Sequence, residues 1–154
     1  MKKLFSINSD SKKTDLALLI ARVGIAALML THGVPKLIML FSGQPVQFPA
    51  VMGLSSNLSL TITVFVEFLC SLFLIVGLAT RLSSLFSAII MAVAAFYIHS
   101  ADPFAVQEMS LHFLLVYIVL IIAGSGRYSV DYLLKRNNLK KQNITSDKNF
   151  ALAG

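Results

Sequence analysis

Four long apolar runs dominate this 154-residue sequence, and they dictate its solvent. The hydrocarbon core of a bilayer is about 30 Å thick, which an α-helix crosses in about 20 apolar residues. The runs extend over about 16–40, 58–79, 82–99 and 108–123. Each is continuously apolar, whereas a barrel strand alternates over about 10 residues. Only 13% of the residues are charged, against roughly 25% in a soluble domain. Too few polar residues exist to coat this chain in water. A disordered acidic tail, a nucleic-acid scaffold and a disulfide-stapled secreted module are excluded. The expected fold is all-α: an integral membrane four-helix bundle.

The charges then predict the topology. Thirteen Lys and Arg against seven Asp and Glu give +6. Lys2, Lys3, Lys12 and Lys13 precede the first run, and Arg81 lies between the second and third. Arg127, Lys135, Arg136, Lys140, Lys141 and Lys148 follow the fourth, while 41–57 and 100–107 hold no Lys or Arg. By the positive-inside rule both termini are expected in the cytoplasm. The net charge is thus a topology signal, with a secondary attraction to anionic membrane lipids, and no nucleic-acid partner is expected. The first run is long, carries Arg22 and lacks a cleavage motif, so it is read as a retained span. Residues 1–13 are expected to form a cytoplasmic segment, 14–136 the membrane domain, and 137–154 a polar, mobile cytoplasmic tail.

The connections carry further signals. Pro45, Pro49, Gly43 and Gly53 make the first outer loop turn-rich. Its Phe41, Val46, Phe48, Val51 and Met52 predict that it lies on the membrane or caps the bundle. Gly124-Ser125-Gly126 ends the fourth span, and Ser129 is placed to cap a short amphipathic helix over 130–136.

An ionisable residue at the centre of a span carries an insertion penalty of roughly 2.5–3.5 kcal/mol. The candidates are Arg22, His32 and Lys36 in the first span, Glu67 in the second, and Glu108 and His112 in the fourth. Counting at about 1.5 Å per residue puts Arg22 about 9 Å from the cytoplasmic face and His32 about 24 Å from it. Glu67 then falls about 13 Å below the outer face, near the midplane. His32, Lys36, Glu67, Glu108 and His112 are all expected in the outer half. Two readings compete. In one, Glu67 is held by Lys36 or Arg22 as an ion pair that fastens helix one to helix two. In the other, the outer cluster binds a polar head such as a quinone carbonyl or passes protons, with Glu67 as proton carrier. A metal site on the two histidines and Glu67 lacks supporting spacing, and none is expected. Cys70 is the one cysteine, which excludes a self-contained dithiol mechanism. Ser84, Ala88 and Ala92, and likewise Ala17, Ala21 and Gly24, form small-residue stripes read as packing surfaces.

These residues together resemble the DoxX family of small bacterial membrane proteins. The resemblance rests on Arg22-Val23-Gly24, on His32-Gly33 with Lys36, on Glu67, and on the Gly77-Leu78-Ala79-Thr80-Arg81 turn. It is completed by Gly124-Ser125-Gly126-Arg127-Tyr128-Ser129-Val130-Asp131, and it covers about 15–135. It implies four helices in the bacterial cytoplasmic (inner) membrane. It also implies a role in membrane redox systems, since some relatives are thought to be subunits of quinone-linked oxidoreductases and others to handle thiol or oxidative stress. Expected partners are lipids, a quinone, a cytoplasmic or membrane redox subunit and a second copy of the chain. A scaffold or anchor for partner proteins, and a transporter or channel subunit, are the alternatives. In the closure segment, Arg127 is expected to pair with Asp131 while Ser129 caps, or the segment docks a cytoplasmic partner.

Overall fold

The computed structural model describes residues 11–139 and 142. The segment 1–13 lies mostly, and the tail 137–154 almost wholly, outside the described residues. Four helices are long and apolar enough to span a membrane: α1 (Ser11–Phe41), α2 (Ser56–Val76), α3 (Thr80–Ile98) and α4 (Phe104–Ala123). A short helix, α5, follows over 130–139, and no strand occurs among the described residues. The expected four-helix bundle is therefore the observed one.

The helix ends differ from the apolar runs for local reasons. The first helix starts five residues before its run, at Ser11. Its first turns are held because the Asp15 Oδ1 accepts the Arg127 backbone N–H at 3.0 Å. The second stops at Val76 rather than 79 because Gly77 takes φ 72° and reverses the chain. The Gly77 N–H reaches the Leu74 carbonyl and the Leu78 N–H the Phe73 carbonyl, at 3.2 and 2.9 Å. This is the paired arrangement by which a left-handed glycine ends a helix. The fourth begins at Phe104 instead of 108 because Pro103 occupies the preceding cap position, where its missing N–H leaves nothing unsatisfied.

Packing follows the polar and small residues. The buried face of α1 is Arg22, Ile25, Ala26, Met29 and Gly33, the three- and four-residue spacing of one helical stripe. It meets α2, while α3 and α4 make the most extensive pairing in the bundle. Tyr117, Leu120 and Leu74 are fully covered at the centre. Ser84 and Ala88 are buried against neighbours as the stripe on α3 predicts. The α1 stripe is corrected: Ala17 and Gly24 are exposed, and nothing lies within 4 Å of a Cβ built on Gly24. The face bearing Arg22 and Gly33 takes the helix contact instead, turning Gly24 outward. Large apolar side chains such as Ile20, Leu28, Leu115 and Ile122 face outward too, as lipid solvent permits.

Candidate functional site

One cavity of about 400 Å³ lies between α1, α2 and α3 at the end away from the basic residues. Its walls are apolar: Ile62 on α2, Ile90, Val93 and Ile98 on α3, and Phe48, Met52 and Leu54 from the loop between α1 and α2. That loop therefore covers the site, as its apolar residues predict. It is tied down where the Val51 N–H donates to the Ser59 Oγ at 3.1 Å. The polar groups lining the cavity are Lys36, Ser59, Thr63, Glu67 and His99.

The pair that defines this site is Lys36 and Glu67. The Lys36 Nζ donates to the Glu67 Oε2 at 2.5 Å, with the two side chains 25% and 5% exposed. A carboxylate this covered needs a partner, since removing one member of a buried pair destabilises by about 3–5 kcal/mol. The local backbone makes the pairing possible. Glu67 sits within a π-helical turn, Phe65–Cys70, whose carbonyl at Glu67 is bonded by the Ser71 hydroxyl at 2.7 Å. Gly33 brings α1 against that turn: a Cβ at Gly33 would lie 2.9 Å from the Glu67 carbonyl carbon and oxygen. Lys36, three residues further along, then reaches the carboxylate. A second π-helical turn, Ala94–Ile98, borders the same cavity from α3. Such single turns inside α-helices are frequent at functional sites.

The other candidates are dispersed. His32 is exposed and meets the ring of Phe113 edge-on, with centroids 5.9 Å apart. Glu108 and His112 are exposed on α4 and stand 4.0 Å from each other. Arg22 lies at the opposite end of the bundle, where its Nη2 donates to the Tyr128 carbonyl at 2.6 Å. Of the two partners weighed for Glu67, Lys36 is the one in contact. Cys70 is buried and free, and no group of metal-ligating side chains forms among the described residues. Residue patterns alone did not single out Ser59, Thr63 or His99. The signal for His99 was present in Asp102, three residues on, whose Oδ2 stands 2.7 Å from the His99 Nδ1.

The closure segment builds a latch at the basic end. Asp131 does not pair with Arg127, which corrects the sequence expectation. Its two carboxylate oxygens accept the N–H groups of Ala79 and Thr80 at 2.7 and 2.9 Å. It thereby caps α3, whose preceding residue Ala79 is left-handed at φ 47° and offers no side-chain cap of its own. Arg127 instead pairs with Asp15 on α1 at 3.3 Å. The reason is geometric: the carboxylate of Asp131 is already engaged by two backbone donors. Ser129 caps α5 as expected, accepting the Tyr132 N–H at 3.2 Å. Arg81 completes the junction by donating to the Ile122 carbonyl near the end of α4, at 3.2 Å. Arg22 fits beneath it because Gly77 has no side chain, since a Cβ there would fall 1.4 Å from the Arg22 Nη1.

The motifs around Gly33–Lys36–Glu67 and Gly77–Arg22–Asp131 now have structural roles. The DoxX family model matches residues 17–100. This chain belongs to the DoxX family. It is also 31% identical over 131 residues to the inner membrane protein YqjF of Escherichia coli (strain K12), covering 81% of this chain and 97% of that relative. No solved structure matches. With four apolar helices of spanning length, the chain is a multi-pass inner membrane protein.

Proposed function

We propose that this protein is a ligand-binding subunit of a membrane redox system and that its ligand is a quinone-type molecule held in the outer cavity. One observation carries this reading: an apolar cavity of about 400 Å³ ends on a buried ammonium–carboxylate pair. Its volume lies within the roughly 300–1,000 Å³ typical of small-molecule sites, which combine apolar walls with a few placed polar groups. A quinone has that same division, with an apolar body and two carbonyl oxygens. The Lys36 ammonium donates to one carbonyl, and Glu67 exchanges a proton with that oxygen as it passes between carbonyl and hydroxyl. Ser59, Thr63 and His99 offer the remaining hydrogen bonds. Electrons come from a partner subunit or a second cofactor, since Cys70 is the chain's single thiol.

The orientation belongs to the same reading. Arg81, Arg127, Lys135 and Arg136 flank the latch, whereas the loops at 42–55 and 99–103 hold no Lys or Arg. This supports a latch and termini in the cytoplasm and a cavity in the outer half of the membrane.

The test is equilibrium binding of a short-chain quinone to the full chain in lipid nanodiscs. Ile90→Trp fills the cavity while leaving both residues of the ion pair in place, and is expected to abolish binding while the protein remains folded. Lys36→Met is expected to weaken it by about tenfold, the worth of one charged hydrogen bond. Undiminished binding by Ile90→Trp would remove the cavity assignment.

A further inference from the structure

Six buried side-chain atoms among the described residues have no hydrogen-bond partner in the protein: the Nε and Nη1 of Arg22, and the hydroxyls of Thr80, Ser84, Ser87 and Tyr117. Each of these residues is at most 1% exposed. Buried polar groups in folded proteins are normally satisfied by protein or by ordered water, so even one such group calls for a cause. Here they lie along one route.

Thr80, Ser84 and Ser87 occupy positions i, i+4 and i+7 of α3 and form a single stripe on its buried face. At about 1.5 Å per residue their Cα atoms are separated along the axis by about 6 and about 4.5 Å. Two hydroxyls joined through one water stand about 5.5 Å apart, at about 2.7–2.8 Å per hydrogen bond. The spacing is therefore that of hydroxyls bridged by single waters. At the cavity end, Tyr117 on α4 faces Ser87 and lies within electrostatic reach of Glu67 and Cys70. At the latch end, the Thr80 N–H is bound by Asp131, and the charge of Arg22 lies in the field of the same Asp131. A file of hydroxyls thus runs from the latch, beside the basic end, to the ion pair beneath the cavity.

We propose that Thr80, Ser84, Ser87 and Tyr117 form a water-bridged relay that carries protons between the basic end of the bundle and the carboxylate of Glu67. Each hydroxyl accepts a proton from the water on one side and releases its own to the water on the other. The proton arriving at Glu67 converts the carboxylate to a carboxylic acid, and its bond to the Lys36 ammonium is released. Around Glu67 stand Lys36 on α1, in direct contact, Tyr117 on α4, within electrostatic reach, and His99 at the end of α3, which lines the same cavity. Lys36 competes with the proton for the carboxylate, which makes the pair a gate rather than an open channel. This inference rests on the reading of Glu67 as the proton-exchanging end of the ligand site, and it explains how a carboxylate near the middle of the membrane gains its protons.

The test uses isosteric side chains at one position. The full chain is reconstituted into lipid vesicles while held by a C-terminal tag, so that the basic end faces the outer solution. After an acid jump outside, the carboxyl infrared band of Glu67, identified by its loss in Glu67→Gln, is followed in time. Ser87→Thr keeps a hydroxyl and is expected to protonate Glu67 at the parent rate. Ser87→Val has the same shape without the hydroxyl and is expected to be slower by at least about tenfold, the worth of one broken hydrogen-bonded link. Equal rates for the Thr and Val variants would overturn the relay. A second measurement checks for water directly: with Cys70 replaced by Ser, Ser84→Cys is expected to react with aqueous silver ion, whereas outward-facing Leu85→Cys is not. A Ser84→Cys thiol inert to silver would equally overturn it. Both measurements are made without ligand. Loss of quinone binding with the relay intact therefore removes the ligand reading alone, and a dry file with binding intact removes the relay alone.

Discussion

Gly33 and Gly24 lie on the same helix and make opposite predictions for the same substitution. At Gly33 an added Cβ would stand 2.9 Å from the carbonyl carbon and oxygen of Glu67. Carbon contacts are most favourable at about 3.5–4.0 Å, so α1 must retreat from α2 by roughly 0.6–1 Å. Overpacking of this kind destabilises by about 1–3 kcal/mol. The same retreat strains the ion pair, which spans 2.5 Å. Lengthening it to about 3.3 Å lowers the Coulomb attraction from about 6.6 to about 5 kcal/mol at an effective dielectric constant of about 20. The flexible Lys36 stem recovers part of that loss. Alanine returns about 0.5–1 kcal/mol through its better helix propensity, leaving a net destabilisation of about 1–3 kcal/mol for Gly33→Ala. At Gly24 an added Cβ meets nothing within 4 Å, so Gly24→Ala keeps the propensity gain and stabilises by about 0.5–1 kcal/mol. Unfolding of the purified protein by dodecyl sulfate in mixed micelles, followed by circular dichroism, reads both values. Shifts of the same sign and size would refute the close approach of α1 to the π-helical turn and, with it, the reason Lys36 reaches Glu67.

Three further outcomes are expected. Asp131→Ala leaves the N–H groups of Ala79 and Thr80 uncapped and destabilises by about 0.5–2 kcal/mol, with Asn at the same position recovering part of the loss in the same micelle titration. Lys36→Met strands the buried Glu67 carboxylate and destabilises by about 3–5 kcal/mol, whereas Lys36→Met with Glu67→Gln is far milder. The thermodynamic cycle is expected to give a coupling at the upper end of the roughly 0.5–3 kcal/mol range or above it, and additive losses would contradict a direct pair. Tyr117→Phe deletes a hydroxyl with no protein partner, so thermal unfolding is expected to show a change below about 1 kcal/mol.

The sequence determined the architecture most clearly where a single physical demand acts alone. Twenty apolar residues in a row admit few solutions, and all four spans emerged from that demand. Helix ends were less legible because they are set by partners distant in sequence: Arg127 holds the start of α1, and Asp131 caps α3 from 52 residues away along the chain. Arg127 illustrates the limit. Its spacing from Asp131 suits a local pair, but the Asp131 carboxylate is taken by two backbone donors that only the fold brings near. The polar residues could be ranked by depth but not by facing. Depth put Glu108 and His112 in the same outer half as the ion pair, yet both turn outward, because the rotation of α4 is fixed by Phe113, Tyr117 and Leu120, which it buries. Of the α3 serines, spacing marks only Ser84 as a small packing residue, since it reveals a stripe but not whether a hydroxyl finds a partner.

In the proposed reading, the two ends of the bundle divide the work between stability and chemistry. At the basic end, Asp131, Arg127, Arg81 and Arg22 each bridge separate segments, and their partners are mostly backbone groups that must be satisfied in any folded state. At the cavity end, α1 is already fixed by the close contact of Gly33, so holding helices together does not require an ion pair there. A buried pair is weak grounds for stability, because desolvating two charges offsets much of their attraction and an apolar replacement is often as stable. A pair placed beside a cavity and on a π-helical turn, with the proposed hydroxyl relay behind it, would have partners on both sides for its charges. A ligand carbonyl can take the ammonium and a proton can take the carboxylate. What the apolar replacement lacks is the capacity to exchange partners, and on the proposed function that capacity is the reason to carry two charges in a membrane where each is costly.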